Sequence, residues 1–186
     1  MFKFMAAIAL LVLGVLVYAA FQPNRFAVER SIEIQAPPEK VYVWIEDFHR
    51  WQAWSPWEKL DPAMRRTFSG PDQGVGATYA WAGDQKVGEG RMEILEATAP
   101  QRVLIKLDFL SPFEAHNQAE FTLSAAGETT TVRWVMSGPS PYMTKLMGVF
   151  FSMDSMVGKD FEAGLASLKA RVESEAAAPV VETDKE

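Results

Sequence analysis

The sequence predicts an α+β domain: a strongly curved antiparallel sheet wrapped around a long C-terminal helix, preceded by an apolar helix of membrane-spanning length. Three observations predict it. Residues 26–35, and then about six short segments between 65 and 136, alternate apolar and polar side chains with a period of two. That alternation is the mark of antiparallel strands with one wet face. Leu146, Phe150, Met153, Val157, Phe161, Leu165, Leu168 and Val172 recur at spacings of three or four, the period of an amphipathic helix. Finally, no residue from Phe4 to Phe21 is charged.

That uncharged run is about 18 residues long, or roughly 27 Å as a helix, close to the thickness of a bilayer core. Gln22-Pro23-Asn24 ends it with turn chemistry. Residues 1–22 therefore read as a transmembrane anchor or signal anchor, and 23–25 as a linker. A cleaved secretory signal is the rival, with Lys3 as its basic end and Val17-Tyr18-Ala19 or Ala20 near the cut. The run is longer than most signal cores, which favours the anchor. Lys3 and the α-amine stand on one side; Arg25 and Arg30, offset by Glu29, stand on the other. This places the N-terminus in the cytoplasm and the domain outside.

In the first strand Phe26, Val28, Ile32 and Ile34 share a face. Arg30 falls on that apolar face, at a strand end or cavity mouth where its stem packs and its guanidinium reaches water; a ligand-anchoring arginine is the sharper alternative. "APPEKVYVWIEDF" then reads as a helix, with proline in the first turn and Val41, Trp44, Ile45 and Phe48 as its buried stripe. Trp51, Trp54 and Trp57 follow at steps of three. Four of the six tryptophans thus fall between 44 and 57.

In the strand series, parity turns Tyr79, Trp81, Met92, Phe109, Asn117, Phe121, Trp134 and Met136 inward. The long helix faces them with Phe150, Met153 and Val157. Gly148, Gly158 and Gly164 weaken a helix interior, so close approach of backbone or ligand is expected there; a break near Ser152 or Asp154 is the alternative. Met136, Met143, Met147, Met153 and Met156 suit a pliable lining, an ordinary core or a lipid-facing patch.

Composition excludes several classes of chemistry. The chain has no cysteine, hence no disulfide framework, thiolate metal site or cysteine nucleophile. Of the net charge of −6, the segment Glu173–Glu186 carries five acids and one lysine. With no basic stripe, nucleic-acid binding is not expected. Residues 175–186 read as a disordered acidic tail. His49 and His116 stand alone, no glycine loop has the strand–turn–helix setting of a phosphate cradle, and no nucleophile elbow exists; no metal or cofactor is implied. Strand parity puts Asp108, Glu93 and Glu120 on the wet face. The inner face keeps donors and one amide, with no carboxylate or histidine, which favours binding over proton transfer.

Three strings, "VERSIEIQAPPEKVYVWIEDFHRWQAWSPW", "FSGPDQGVGATYAWAGDQKVGEGRMEI" and "DFEAGLASLKARVE", resemble the START-like or Bet v 1-like helix-grip superfamily, also called SRPBCC. The likeness is to its bacterial polyketide cyclase/dehydrase-type members and covers residues 26–174. It implies a sheet gripping the C-terminal helix around a cavity for an apolar or amphipathic ligand. The expected function is membrane-tethered binding or transfer of a hydrophobic small molecule: a lipid, an isoprenoid or a polyketide-like compound. The site residues would be Tyr79, Trp81, Met92, Phe109, Asn117, Phe121, Trp134, Met136, Phe150, Met153 and Val157, with Arg30 and Trp57 at the rim. A cyclase/dehydrase-type enzyme is the alternative, and a protein-interaction module with an exposed tryptophan face is a further one. Trp51 and Trp54 are expected to pack a helical seat under the long helix.

Overall fold

The computed structural model describes residues 1–177; of the tail expected over 175–186, residues 175–177 continue the C-terminal helix and 178–186 lie outside the described residues. Helix α1 (Phe2–Ala20) leads into strand β1 (Arg25–Ile34), helix α2 (Pro38–Tyr42) and two 3₁₀ turns, Phe48–Ala53 and Pro56–Lys59. Strands β2 (Arg65–Ser69), β3 (Thr78–Ala82), β4 (Glu89–Thr98), β5 (Arg102–Ser111), β6 (Ala115–Ala126) and β7 (Thr129–Pro139) follow, then α3 (Tyr142–Gly148) and α4 (Met153–Ala177). The seven strands form one antiparallel sheet in the order β1-β7-β6-β5-β4-β3-β2. Its concave face receives α4, which packs mainly along β1. This is the helix-grip fold.

The alternating strands are those expected, because a face buried under α4 pins the register: a slip by one residue would turn every apolar side chain outward. The β4–β5 pairing shifts register at Glu89/Gly90 and at Ile94/Glu96, where the sheet bends. Gly90 also leaves room for Trp81. A Cβ there would collide with the indole and approach the Asp108 carbonyl to 2.6 Å.

The first helix stops earlier than the Val41–Phe48 stripe suggests. After Tyr42 two indoles take carbonyls that a longer helix would use. Trp51 Nε1 donates to the Ile45 carbonyl (3.0 Å) and Trp54 Nε1 to that of Trp44 (3.1 Å). Val41, Ile45, Phe48, Trp51 and Trp54 are all buried, and the Trp51 and Trp54 rings lie 4.8 Å apart. The tryptophan-rich stretch is thus a folded seat beneath the sheet and α4. It is not an exposed interaction face.

The C-terminal pattern divides at 149–152. Ser152 Oγ accepts the Ser155 N–H (3.1 Å) and caps α4. Phe150 therefore precedes α4 and points outward, 66% exposed, which corrects its assignment to the cavity. The glycines within α4 mark close approaches. Arg30 crosses Gly158, whose missing Cβ would collide with the guanidinium, and Gly164 lies against Pro56 and Trp134.

Arg30 is not at the cavity mouth. Its Nε donates to Glu162 (2.7 Å) and its Nη1 to Asp154 (2.7 Å), which clamps β1 to α4. The correction has a simple cause: two acids a helical turn to either side of Gly158 draw the side chain across the helix.

On the convex face Asp108 is buried among cations, with His116 Nδ1 at 2.8 Å, Lys106 Nζ at 2.9 Å and Arg91 Nη2 at 3.5 Å. Burial pushes its carboxyl up, but hydrogen bonds from His116 and Lys106 and the charges of both outweigh this and hold it below the usual range. The hydrogen bond to Asp108 raises His116, opposed by desolvation and helped by the charges of Asp108 and Glu114. A depressed acid stabilises the fold above its unfolded pKa and loses that stability as pH falls through the folded one. A raised histidine stabilises below its unfolded value and loses that stability as pH rises through the folded one. The pair should therefore contribute most at mildly acidic pH, about 5–6. In thermal melts, the difference between wild type and Asp108→Asn should be largest there. It should shrink toward low pH and again as pH rises through the raised His116 value, where the imidazolium contribution is lost. A difference that stays flat with pH would remove the pair from the stability of this face.

Candidate ligand cavity

A cavity of about 180 Å³, partly open to solvent, lies between the concave face and the first turns of α4. The sheet supplies Tyr79 and Trp81 from β3, Met92 from β4, Leu107 and Phe109 from β5, Ala119 from β6, and Trp134 and Met136 from β7. Val157 and Phe161 face them from α4. Trp51, Ser55, Trp57 and Glu58 come from the seat, and Met64 and Val87 line it from loops.

Eight of the residues expected at the site stand in this wall: Tyr79, Trp81, Met92, Phe109, Trp134, Met136, Val157 and Trp57. Trp57 is half-buried, with its ring edge-on to Trp134 (5.8 Å) and Phe161 (6.0 Å). It stands in the cavity wall between seat and helix and stays partly exposed. Three residues of correct parity do not reach the cavity. Phe121 is fully buried below it, edge-on to Trp51 and Trp54 and stacked on Trp134. Asn117 folds over Gly138, occupying the space a Cβ would take, and lies beside Phe26. Met153 packs half-buried on the core at the start of α4, one turn short of Val157. Parity tells which face a side chain takes; it does not tell whether neighbours leave that face open.

Trp134 is the hub of the lining. It stacks on Phe161 at 4.1 Å and 9°, and on Phe121 at 4.8 Å and 26°. Trp54 and Trp57 meet it edge-on, each at 5.8 Å. Its buried Nε1–H has no hydrogen-bond partner among the described residues.

Among the described residues the wall holds one carboxylate, Glu58, which strand parity had not turned inward. Glu58 Oε1 accepts the Tyr79 hydroxyl (2.5 Å), and Oε2 accepts Arg66 Nε (2.6 Å). Arg66 Nη1 also donates to the Met64 carbonyl (2.7 Å). Burial raises the Tyr79 phenol, and donation to the Glu58 carboxylate raises it further, so it stays protonated. Its oxygen keeps accepting capacity. Strand parity could not find Glu58, which comes from the 3₁₀ turn that Pro56 begins. A signal did exist. Arg66 shares its strand face with Phe68, and a cation on an apolar face calls for a counter-charge. Among the described residues no group of three or more acidic or histidine side chains converges as a metal site would require.

A family model described as polyketide cyclase / dehydrase and lipid transport matches residues 25–173. The chain belongs to this family. The match runs from β1 into α4 and leaves α1 outside it. Solved structures share the fold. Protein CV1439 from Chromobacterium violaceum superposes with a TM-score of 0.55 at 18% identity, covering 82% of this chain and 99% of that one. DynU16, a putative protein in the dynemicin biosynthetic locus, gives 0.57 at 19% identity over 83% of this chain and 49% of its own. Ara h 8.0201 gives 0.53 at 12% identity, over 81% and 99%. No curated protein sequence matches the chain. As a member of this cyclase and lipid-transport family, the chain has the Bet v 1-like helix-grip frame in which the cavity described above lies between grip and helix.

Proposed function

We propose that this chain binds or transfers a hydrophobic small molecule of lipid, isoprenoid or polyketide-like character in the sheet–α4 cavity. We propose also that α1 tethers it to a membrane with the domain on the extracytoplasmic side. The observation that carries the reading is an apolar, aromatic- and Met-lined cavity with one polar pole, Glu58–Tyr79. The family's description, which includes lipid transport, supports it. The volume sets a limit on what is enclosed. At about 180 Å³ the cavity resembles engineered cavities of roughly 150 Å³ that hold one aromatic ring, and is smaller than the roughly 300–1,000 Å³ of pockets that enclose a drug-sized ligand. The ligand would insert one apolar end beside the Glu58–Tyr79 pole and extend through the opening. A hydroxyl on that end would be met by the phenol and carboxylate oxygens.

Native mass spectrometry of the full chain, released from detergent, should show a bound species of lipid-like mass. Ala119→Phe and, separately, Met136→Phe fill the cavity from two strands. Each should weaken binding at least about tenfold, or roughly 1.4 kcal/mol, with unchanged circular dichroism. Wild-type occupancy in both variants would exclude this cavity as the site.

Glu58 favours a second reading, a cyclase- or dehydrase-type enzyme with this carboxylate as the base. Both of its oxygens are already engaged, by Tyr79 and Arg66, which favours a positioning role and hence binding. Glu58→Gln separates the two: an enzyme would lose turnover while keeping its bound ligand.

A further inference from the structure

We infer that the end of the domain that carries α1, α3 and the β3–β4 hairpin beside the cavity is seated in the lipid interface, with α3 and the turn after it as an embedded collar. The inference rests on the reading of α1 as a membrane anchor and goes beyond it, since a tether alone would leave the domain free above the bilayer.

Depth is set by a contact. The Tyr142 hydroxyl donates to the Leu16 carbonyl (3.0 Å). Leu16 lies five residues inside Phe21, the last residue of the apolar run. At about 1.5 Å per residue that is roughly 7 Å below the end of the apolar segment. Interfacial helices bury their apolar faces about 5–10 Å deep. With α1 across the membrane, Tyr142 is held at that depth. A second contact fixes the polar level: Lys145 Nζ donates to Asn24 Oδ1 (2.6 Å), just beyond the run, where a lysine reaches the headgroups.

The surface so placed is apolar. Tyr142, Met143, Met147, Phe150 and Phe151 are all exposed within ten residues, the two phenylalanines by 66% and 67%. Nothing in the described chain covers them. Such a patch is a liability in water and is stabilised in lipid. The sheet register brings the cavity to the same end. Arg25 at the start of β1 pairs with Pro139 at the end of β7, so α1 and α3 attach at one end of the strands. The β5–β6 turn with exposed Phe113 lies at that end, as does the β3–β4 hairpin whose Val87 lines the cavity. A ligand would then pass between bilayer and cavity without crossing water.

The chain has no cysteine, so single labels are direct. Full-length Phe150→Cys, Leu10→Cys and Val75→Cys, each carrying an environment-sensitive fluorophore, would be reconstituted in phosphatidylcholine–phosphatidylglycerol vesicles. Val75 is exposed in the β2–β3 connection at the opposite end of the strands. Headgroup-proximal nitroxide lipids should quench the label at 150 at least about twofold more than the label at 75, as expected for interfacial burial. The label at 10 should be quenched by nitroxides at mid-acyl depth. A label at 150 as unquenched as that at 75, with position 10 quenched, would overturn the seat and leave the anchor standing. An unquenched label at 10 would overturn the anchor and the seat with it. Shielding of position 150 from both lipid nitroxide and aqueous iodide would assign the patch to a second copy of the chain, also against the proposal.

Discussion

Trp134→Ala is expected to lower stability by about 3–5 kcal/mol, as large-to-small changes at buried aromatics do. The residue is 2% exposed and sits between two stacked rings, so Phe121 and Phe161 would each lose a face of contact. The seat above it is rigid, because Trp51 and Trp54 are tied by their own N–H groups to the Ile45 and Trp44 carbonyls. Little collapse can follow, and the new void would merge with the existing one. For a domain of this size the melting temperature should fall on the order of 10 °C. Indole at millimolar concentration should restore part of that loss in the variant and do little for the wild type, since it fills the new space. Trp134→Phe should be much milder, because it keeps the stacking and removes an N–H that has no partner. A Trp134→Ala variant melting within a degree or two of wild type would show that the aromatic hub does not hold seat, sheet and α4 together.

The second large effect is expected at Glu58. Glu58→Ala strands the Arg66 guanidinium and the Tyr79 hydroxyl in one step. Breaking a fully enclosed ion pair costs about 3–5 kcal/mol; Arg66 retains some exposure, so about 2–4 kcal/mol is expected. Pairing Glu58→Ala with Arg66→Met should recover much of the loss, because the penalty lies mainly in the unpaired charge. Denaturant melts of the two single variants and the double variant give the coupling directly. Additive losses would mean that the pair is not coupled. Tyr79→Phe, measured for ligand uptake, then tells whether the pole recognises the ligand or only braces the wall.

These two positions show where sequence reasoning succeeded and where it stopped. Trp134 was legible because β7 alternates cleanly: Val132, Trp134 and Met136 must share a face once that face is buried. The same logic placed Tyr79, Trp81, Met92 and Phe109. Glu58 was not legible in this way, because a 3₁₀ turn after a proline carries no period of two, and its direction is set by Arg66 and Tyr79, eight and 21 residues away. Phe150 has the spacing of a continuous helix and nonetheless lies outside the core, because Ser152 restarts the helix. Arg30 has the parity of a cavity residue, but its reach lets distant acids on α4 decide its position.

Local periodicity was therefore sufficient for the strands and the C-terminal helix, each a repeated pattern whose burial leaves the backbone one choice of face, and an unbroken apolar run was sufficient for α1. The polar pole of the cavity, the clamp across Gly158 and the pinning of α3 against α1 were settled only by the tertiary structure. Those features depend on single long-range contacts made by irregular segments or long side chains, and no repeat along the chain encodes them.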